Sequence, residues 1–281
     1  MKNEPLGHLV EQAKHGSRAA LEEMVGRIQD RIYGLALRML WHPEDARDAT
    51  QEILVKIITH LATFQGKSQF TTWVYRIACN YLLTVHKSRV EESAVSFEQF
   101  GRDLDDGLAD EPFVAATSVE QTLLVEEVKI GCTLAMLLCL DGDHRIAYVL
   151  GEIFEVNSKE AGEILDISPE AFRKRLSRAR GEIRAFMQQK CGIINSANKC
   201  HCDRRIDPAI KKGRLDRRNL LFTGPAVMVR ARKTVQHHVQ EMEELERIAA
   251  LYRSHPDYAA PHGFLQHLEE LIQSSRFDIL S

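Results

Sequence analysis

No apolar run in this sequence approaches the roughly 20 residues that a membrane-spanning helix needs. The first residues, MKNEPLGHLVEQAKHG, lack the pattern of a secretory leader, so the expected location is the cytoplasm, with no membrane partner. A glycine-rich phosphate loop, an HExxH pair and a GxSxG elbow are all missing, and no enzyme is expected. An excess of positive charge is missing too. The 37 lysines and arginines are outnumbered by 40 aspartates and glutamates, for a net charge of −3. No global field draws such a chain to nucleic acid, and any attraction has to come from local clusters.

What is present is the profile of a soluble globular protein. The 281 residues, 44% hydrophobic and 27% charged, suffice for two or more domains with cores of their own. Charge is segregated along the chain. Between residues 91 and 127 a run of acids, from Glu91 and Glu92 through Asp103, Asp105 and Asp106 to Glu126 and Glu127, meets one basic residue, Arg102. Residues 173–184 and 204–233 are basic.

Helical periodicity dominates, and the expected fold class is all-α. Leu21, Met24, Val25, Ile28, Ile32, Leu35, Ala36 and Met39 predict a helix over residues 17–40. Trp41-His42-Pro43 ends it. Pro43, Glu44 and Asp45 suit the first turn of a second helix, which runs to about Phe64. Asp45, Asp48, Gln51 and Glu52 fall on or near its polar side, where a solvated face is the plain reading. Gln65-Gly66-Lys67-Ser68 is a turn by composition, and a third helix follows over residues 72–87.

The stretch from Phe64 to Arg89 interleaves aromatic residues with cationic and amide ones: Trp73, Tyr75, Arg76, Asn80, His86, Lys87 and Arg89. Such a mixture suits unstacked bases on a phosphate backbone. Phe70, Trp73 and Ile77 share a helical spacing that by itself means core packing. The surface left for nucleic acid is the turn, with Gln65, Lys67, Ser68 and Gln69, and the exposed side of the helix, with Tyr75, Arg76, Asn80 and Lys87.

Residues 91–119 lose periodicity and read as an acidic, flexible linker with little fixed structure. A helix resumes near Ser118, and another spans about residues 143–154. Asn157 with Glu160 opens a short helix as a capping-box-like pair, and Ser168-Pro169 opens the next, to about Gln188. Two helices joined by the turn Asp166-Ile167-Ser168 match a helix-turn-helix. The second carries Arg173, Lys174, Arg175, Ser177, Arg178, Arg180 and Arg184, opposed by Glu170 and Glu182 alone. That imbalance begins where a recognition helix enters the major groove, and DNA contact is the favoured reading.

Residues 191–281 read as a separate helical module. Cys191, Cys200 and Cys202 open it. In a reducing compartment such a cluster suggests zinc or another soft metal, with His201, His237 or His238 as a fourth ligand, or a redox pair of Cys191 with Cys200 or Cys202. Plain packing of the three thiols is the third reading, and C-x8-C-x-C is not a zinc-finger spacing. Cys79, Cys132 and Cys139 lie in apolar helical contexts and read as core residues. Further helices are expected over residues 234–253 and 263–274.

Two stretches of this chain resemble the two conserved regions of bacterial RNA polymerase sigma factors of the extracytoplasmic-function (ECF) group. Region 2 is matched by Asp45-Ala46, Asp48, Gln51-Glu52-Ile53, Phe64, Gly66, Phe70, Thr72-Trp73, Tyr75-Arg76-Ile77-Ala78 and Asn80. Region 4 is matched by Ser168, Arg175-Leu176, Arg178-Ala179 and Arg180. The resemblance implies region 2 over residues 1–90, a linker over 91–119, region 4 over 120–190 and an extension over 191–281. It implies that Asp45, Asp48, Gln51 and Glu52 dock on the β′ clamp helices of core polymerase, and that region 4 meets the β flap. It further implies that Gln65, Lys67, Ser68, Gln69, Tyr75, Arg76, Asn80 and Lys87 read and melt a promoter −10 element. Arg173, Lys174, Arg175, Ser177 and Arg178 would read the −35 element, while the acidic linker threads toward the polymerase active site. No cofactor is required, and a separate anti-sigma factor is a further candidate partner. Minimal members end near residue 190, so the tail is an addition, and some such additions control activity in cis. Ala161-Gly162, Asp166, Phe172, Cys79 and Thr84 depart from the usual pattern, which leaves base preference open. The rival classes are a helix-turn-helix regulator acting without polymerase and a metal or redox sensor.

Overall fold

The computed structural model describes residues 6–93, 95–223, 228–230 and 244–261, with side chains described except at 86–93 and 228–230. The helices expected over residues 263–274 and over the first part of 234–253 lie outside these, as do His237, His238 and the side chain of Lys87. Among the described residues the fold is all-α. Eleven α-helices are described, and one antiparallel pair of short strands, β1 (Met228–Arg230) and β2 (Asp257–Tyr258), is the exception.

Three long helices follow the apolar periodicity. Helix α1 (Gly7–Lys14) precedes α2 (Arg18–Leu40), whose N-cap Ser17 accepts from the Ala20 amide. Helix α3 (Pro43–Thr59) starts with proline in its first turn and Glu44 and Asp45 beside it. It stops a turn short of Phe64, because His60 and a 3₁₀ turn over Leu61–Thr63 close it. Helix α4 (Phe70–Ser93) completes the bundle. Met24, Ile32, Leu35, Leu37, Met39, Ile53, Leu54 and Ile57 are fully buried between them. Full burial of one such aliphatic side chain contributes about 1.5–3 kcal/mol.

The linker differs from expectation. Helix α5 (Phe97–Asp106) forms inside the acidic stretch, opened by Ser96, whose side chain accepts from the Gln99 amide. Phe97, Phe100 and Leu104 line one side of it. The rings of Phe97 and Phe100 lie 5.1 and 5.6 Å from that of Phe186. The acids on its other faces masked this short amphipathic pattern.

Helix α6 (Ser118–Leu138) leads to α7 (Gly142–Tyr148), which runs into a π-turn at Val149–Ile153. Then come α8 (Ser158–Leu165) and α9 (Pro169–Lys190), opened by the side chains of Asn157 and Ser168. Asp166 adopts the left-handed conformation between them, at φ 54°. Gly162 permits the tight turn: a Cβ there would stand 2.7 Å from the Ile167 carbonyl oxygen.

The tail is not a separate module in its described part. Helix α10 (Ile206–Lys211) sits on α6, and α11 (Glu244–Arg253) on the π-turn and α9. Phe222, Ile248, Tyr252, Tyr258 and Ala260 join the same apolar core as α2, α4 and α9. Two buried polar side chains fix the arrangement. Arg145 donates to the carbonyls of Met39, Leu137, Leu138 and Leu140 at 2.6–2.9 Å, tying the end of α2 to the end of α6. Its burial lowers the guanidinium pKa to about 10, so it stays charged. Glu127 accepts from the amides of Leu221, Phe222 and Thr223 and from the Thr223 hydroxyl, at 2.6–3.1 Å. Each buried, charge-assisted bond of this kind contributes about 1.5–3 kcal/mol relative to leaving the donor unmet.

Candidate nucleic-acid and polymerase interfaces

The acidic face of α3 is open. Asp48 and Glu52 are exposed, and Asp45 and Gln51 are half-buried at its edge. Asp48 keeps 69% of its side chain in solvent, with Arg47 3.7 Å away and itself paired with Glu44 at 2.5 Å. Helical spacing presents Asp48, Gln51 and Glu52 together, because residues three and four apart share a face.

The loop before α4 is also open. Gln65, Lys67 and Gln69 are exposed, and Ser68 is partly so. Gly66 turns the loop at φ 69°, a conformation that favours glycine. Beneath it, Phe64, Phe70 and Trp73 form a ring cluster with centroids 5.4–5.7 Å apart. These aromatics hold the loop rather than a base, in line with the packing expected of Phe70 and Trp73.

The exposed helical face expected beyond the loop is largely covered. Tyr75 is only 7% exposed, with its ring 6.0 Å from that of Phe154. Burial raises its phenol pKa above the usual value. Arg76 spends its guanidinium on the Glu163 carbonyl, at 3.0 and 2.6 Å, and the Thr72 hydroxyl reaches Glu160 at 3.5 Å. Glu160 and Glu163 belong to α8, the first helix of the helix-turn-helix. Among the described side chains of this group, Asn80 alone stays exposed. Tyr75 and Arg76 are therefore not a free surface in this arrangement. The side chains that cover them, on α8 and at Phe154, carry no sequence motif that would have marked them.

The outer face of α9 is free along its first turns. Arg173, Lys174, Ser177 and Arg178 are exposed. Arg173 donates to Ser158 at 3.3 Å and Lys174 pairs with Glu170 at 2.9 Å, both in water. Arg175 is turned aside to Asp143, 3.0 Å away, and Arg180 pairs with Glu152. Arg184, further along, pairs with Glu244 of the tail at 2.8 Å. Phe172, Leu176, Ala179 and Ile183 are buried inward, so the recognition-helix geometry follows from one apolar stripe.

Among the described residues, no group of three or more His, Cys, Asp or Glu side chains is placed to hold a metal ion. Cys191 and Cys200 are backbone neighbours, with the Gly192 amide donating to the Cys200 carbonyl at 2.9 Å. Burial raises the thiol pKa of both, and pushes Cys202 up to about 12. Cys132 on α6 lies near enough for the three tail thiols to raise it further. Buried thiols of raised pKa are poor nucleophiles, which favours the packing reading of this cluster. The part of Cys132 was not visible in its apolar sequence context.

Comparison with known proteins agrees with the geometry. Residues 24–90 match the family model for sigma-70 region 2. The ECF RNA polymerase sigma factor SigW of Bacillus subtilis is 28% identical over 62% of this chain and 92% of its own length. The RNA polymerase sigma-H factor of Pseudomonas aeruginosa is 28% identical over 64% of this chain and 92% of its own. A solved sigma factor RpoE from Bartonella quintana, in complex with the anti-sigma factor NepR, matches 59% of this chain at 18% identity and a TM-score of 0.42; at that score it says nothing further about this chain. The relatives are matched over nearly their whole length, and more than a third of this chain lies beyond them. Over about two-thirds of its length the chain is similar to RNA polymerase sigma factors of the extracytoplasmic-function group.

Proposed function

We propose that this protein is a promoter-recognising subunit of RNA polymerase whose access to DNA is controlled by its own tail. In this reading residues 1–90 act as region 2, 91–119 as the linker, 120–190 as region 4 and 191–281 as a regulatory extension, all in the cytoplasm. Asp45, Asp48, Gln51 and Glu52 on α3 meet the β′ clamp helices, and region 4 meets the β flap. The loop Gln65–Gln69 with Tyr75, Arg76, Asn80 and Lys87 opens the −10 element. Arg173, Lys174, Ser177 and Arg178 read the −35 element, with Arg175 released from Asp143 to join them. No bond is made or broken; melting is driven by binding energy, as stacking lost from the duplex is offset by contacts to splayed bases.

One observation carries the regulatory half of the reading. The helix that would read the −10 element touches the helix-turn-helix that would read the −35 element, through Arg76 and Glu163 at 2.6 Å. Elements about 25 base pairs apart are separated by roughly 85 Å of B-form DNA, while a compact chain of this length spans only about 50 Å. The two readers must part before both can engage. The tail opposes that parting, since it grips both. The Ala260 amide donates to Asp30 of α2 at 2.9 Å, and Arg38 of α2 lies between the rings of Tyr258 and Phe154, at 5.2 and 5.5 Å. Arg253 and Arg184 tie α11 to Glu155 and α9.

The deciding experiment is reconstitution with core polymerase and run-off transcription on genomic fragments, comparing the full chain with one ending at Gln189. Association with core and higher specific transcription from the shortened chain are expected. Failure to associate, together with tight binding to duplex DNA in the absence of polymerase, would replace this reading with an independent helix-turn-helix regulator. Equal transcription from both chains would remove the regulatory half.

A further inference from the structure

A cavity of about 390 Å³ lies where the acidic linker, region 4 and the tail meet. Phe100 and Leu104 of α5 form one wall, Val128 and Cys132 of α6 another, and Leu215 and Phe222 of the tail a third. Trp41 closes one side. Its indole donates to the Gly131 carbonyl at 3.3 Å and stands 6.3 Å from the Phe222 ring, on a backbone at φ 68°, a strained value for so bulky a residue.

The charged side chains of the lining are engaged with neighbouring groups. Asp103 takes Lys212 and Arg214. Arg205 is held by the carbonyls of Leu104 and Gly107. Glu127 is saturated by the amides of Leu221, Phe222 and Thr223. Apolar side chains make up most of the wall, and burying an unpaired charge against them would cost several kcal/mol. Water gains few partners as well, because a buried water needs two to four polar groups. Volume and apolar lining are those of a small-molecule pocket. By proportion to the ~150 Å³ cavities that take benzene, the space suits roughly 15 non-hydrogen atoms.

We infer that this cavity binds a small, uncharged, apolar molecule of two or three rings or the equivalent alkyl volume, and that such a molecule fastens the linker helix α5 to the tail. Resting on the reading of the tail as a control element, the occupant is a signal that holds the closed arrangement. It touches α5, α6 and the tail at once and loses most of its contacts if they separate, so its affinity differs between the two states.

The test uses the full chain and the uncharged fluorophore N-phenyl-1-naphthylamine. Saturable binding of one molecule per chain is expected, with energy transfer from Trp41. The anionic relative 8-anilino-1-naphthalenesulfonate should bind this site at least tenfold more weakly. Ala135→Phe, which fills the space from α6, should weaken N-phenyl-1-naphthylamine at least tenfold, and Val128→Phe serves as a second filler should the first not fold. Absence of saturable binding, as when a segment of this chain already occupies the space, overturns the inference. So do equal affinity for the anion and undiminished binding to a folded cavity-filling variant. Run-off transcription with core polymerase separates the two levels. Binding that lowers transcription supports the signal role, whereas binding without any effect on transcription leaves the site standing and overturns the role assigned to its occupant.

Discussion

Two faces of the same three-helix unit stand in opposite states. The acidic face of α3 is open, with Asp48 69% exposed. The aromatic and basic face of α4 is shut, with Tyr75 7% exposed under Phe154 and Arg76 tied to Glu163. In the proposed reading, a closed chain of this form meets polymerase through α3 before it meets bases through α4. Under that reading the difference gives an order of events: docking first, then separation of α4 from the helix-turn-helix, then melting. The basic outer face of α9 is exposed even in the closed form, and in the same reading it does not fix the chain on a promoter while the α4 face is covered.

The contrast can be broken most severely at the tail's buried anchor. Glu127→Ala leaves the amides of Leu221, Phe222 and Thr223 without their acceptor and should cost about 3 kcal/mol. A lowered urea midpoint and faster proteolysis of the tail are expected; an unchanged midpoint would mean that the tail does not depend on this carboxylate. Next comes the cover of Tyr75. Phe154→Ala should cost about 2 kcal/mol as a half-buried aromatic and expose Tyr75 to the quencher acrylamide. Binding of an A/T-rich single-stranded oligonucleotide by the free chain should rise at least tenfold, and no gain would argue that Phe154 does not limit access.

A smaller effect is expected at Asp103, whose carboxyl pKa is lowered to about 2, first by its hydrogen bond to Arg214 and also by Lys212. A depressed carboxyl contributes stability above its unfolded value of 3.8, and that contribution is lost as the pH falls toward about 2. Because Arg214 and Lys212 keep 51% and 38% of their side chains in solvent, the contribution is discounted to about 1 kcal/mol. Asp103→Asn should flatten the acid limb of stability between about pH 4 and 2, measured by the denaturation midpoint across that range. The smallest effect on the fold is expected at the open face. Asp48→Ala with Glu52→Ala should shift stability by no more than about 0.5 kcal/mol while weakening association with core polymerase at least tenfold. Unimpaired copurification with core would detach α3 from the docking role.

Local signals for helix starts were legible to within a turn. The caps Asn157 and Ser168, the proline-opened helices α3 and α9, and the inward stripe Phe172–Leu176–Ala179–Ile183 all lie where spacing and side-chain type placed them. The exposed candidates on α3, on the loop Gln65–Gln69 and on α9 were legible for the same reason. Helix α5 was not, because Phe97, Phe100 and Leu104 make too short a pattern among so many acids. Cys132 could not be joined to Cys191, Cys200 and Cys202, since nothing in a heptad of apolar residues says which distant segment will cover it.

By itself the sequence determined the all-α class, the helix-turn-helix and the segregation of acid and base, because periodicity, capping and charge density act over a few neighbouring residues. Only the tertiary structure decided which of the exposed faces remain exposed. Arg76 is answered by a backbone carbonyl, which every residue possesses and no motif announces. Arg145 and Glu127 do the same work inside, one charge gathering several carbonyls and the other several amides from remote segments. Bonds of that kind are specified by the path of the chain in space, and they hold the tail, the linker, α4 and the helix-turn-helix together.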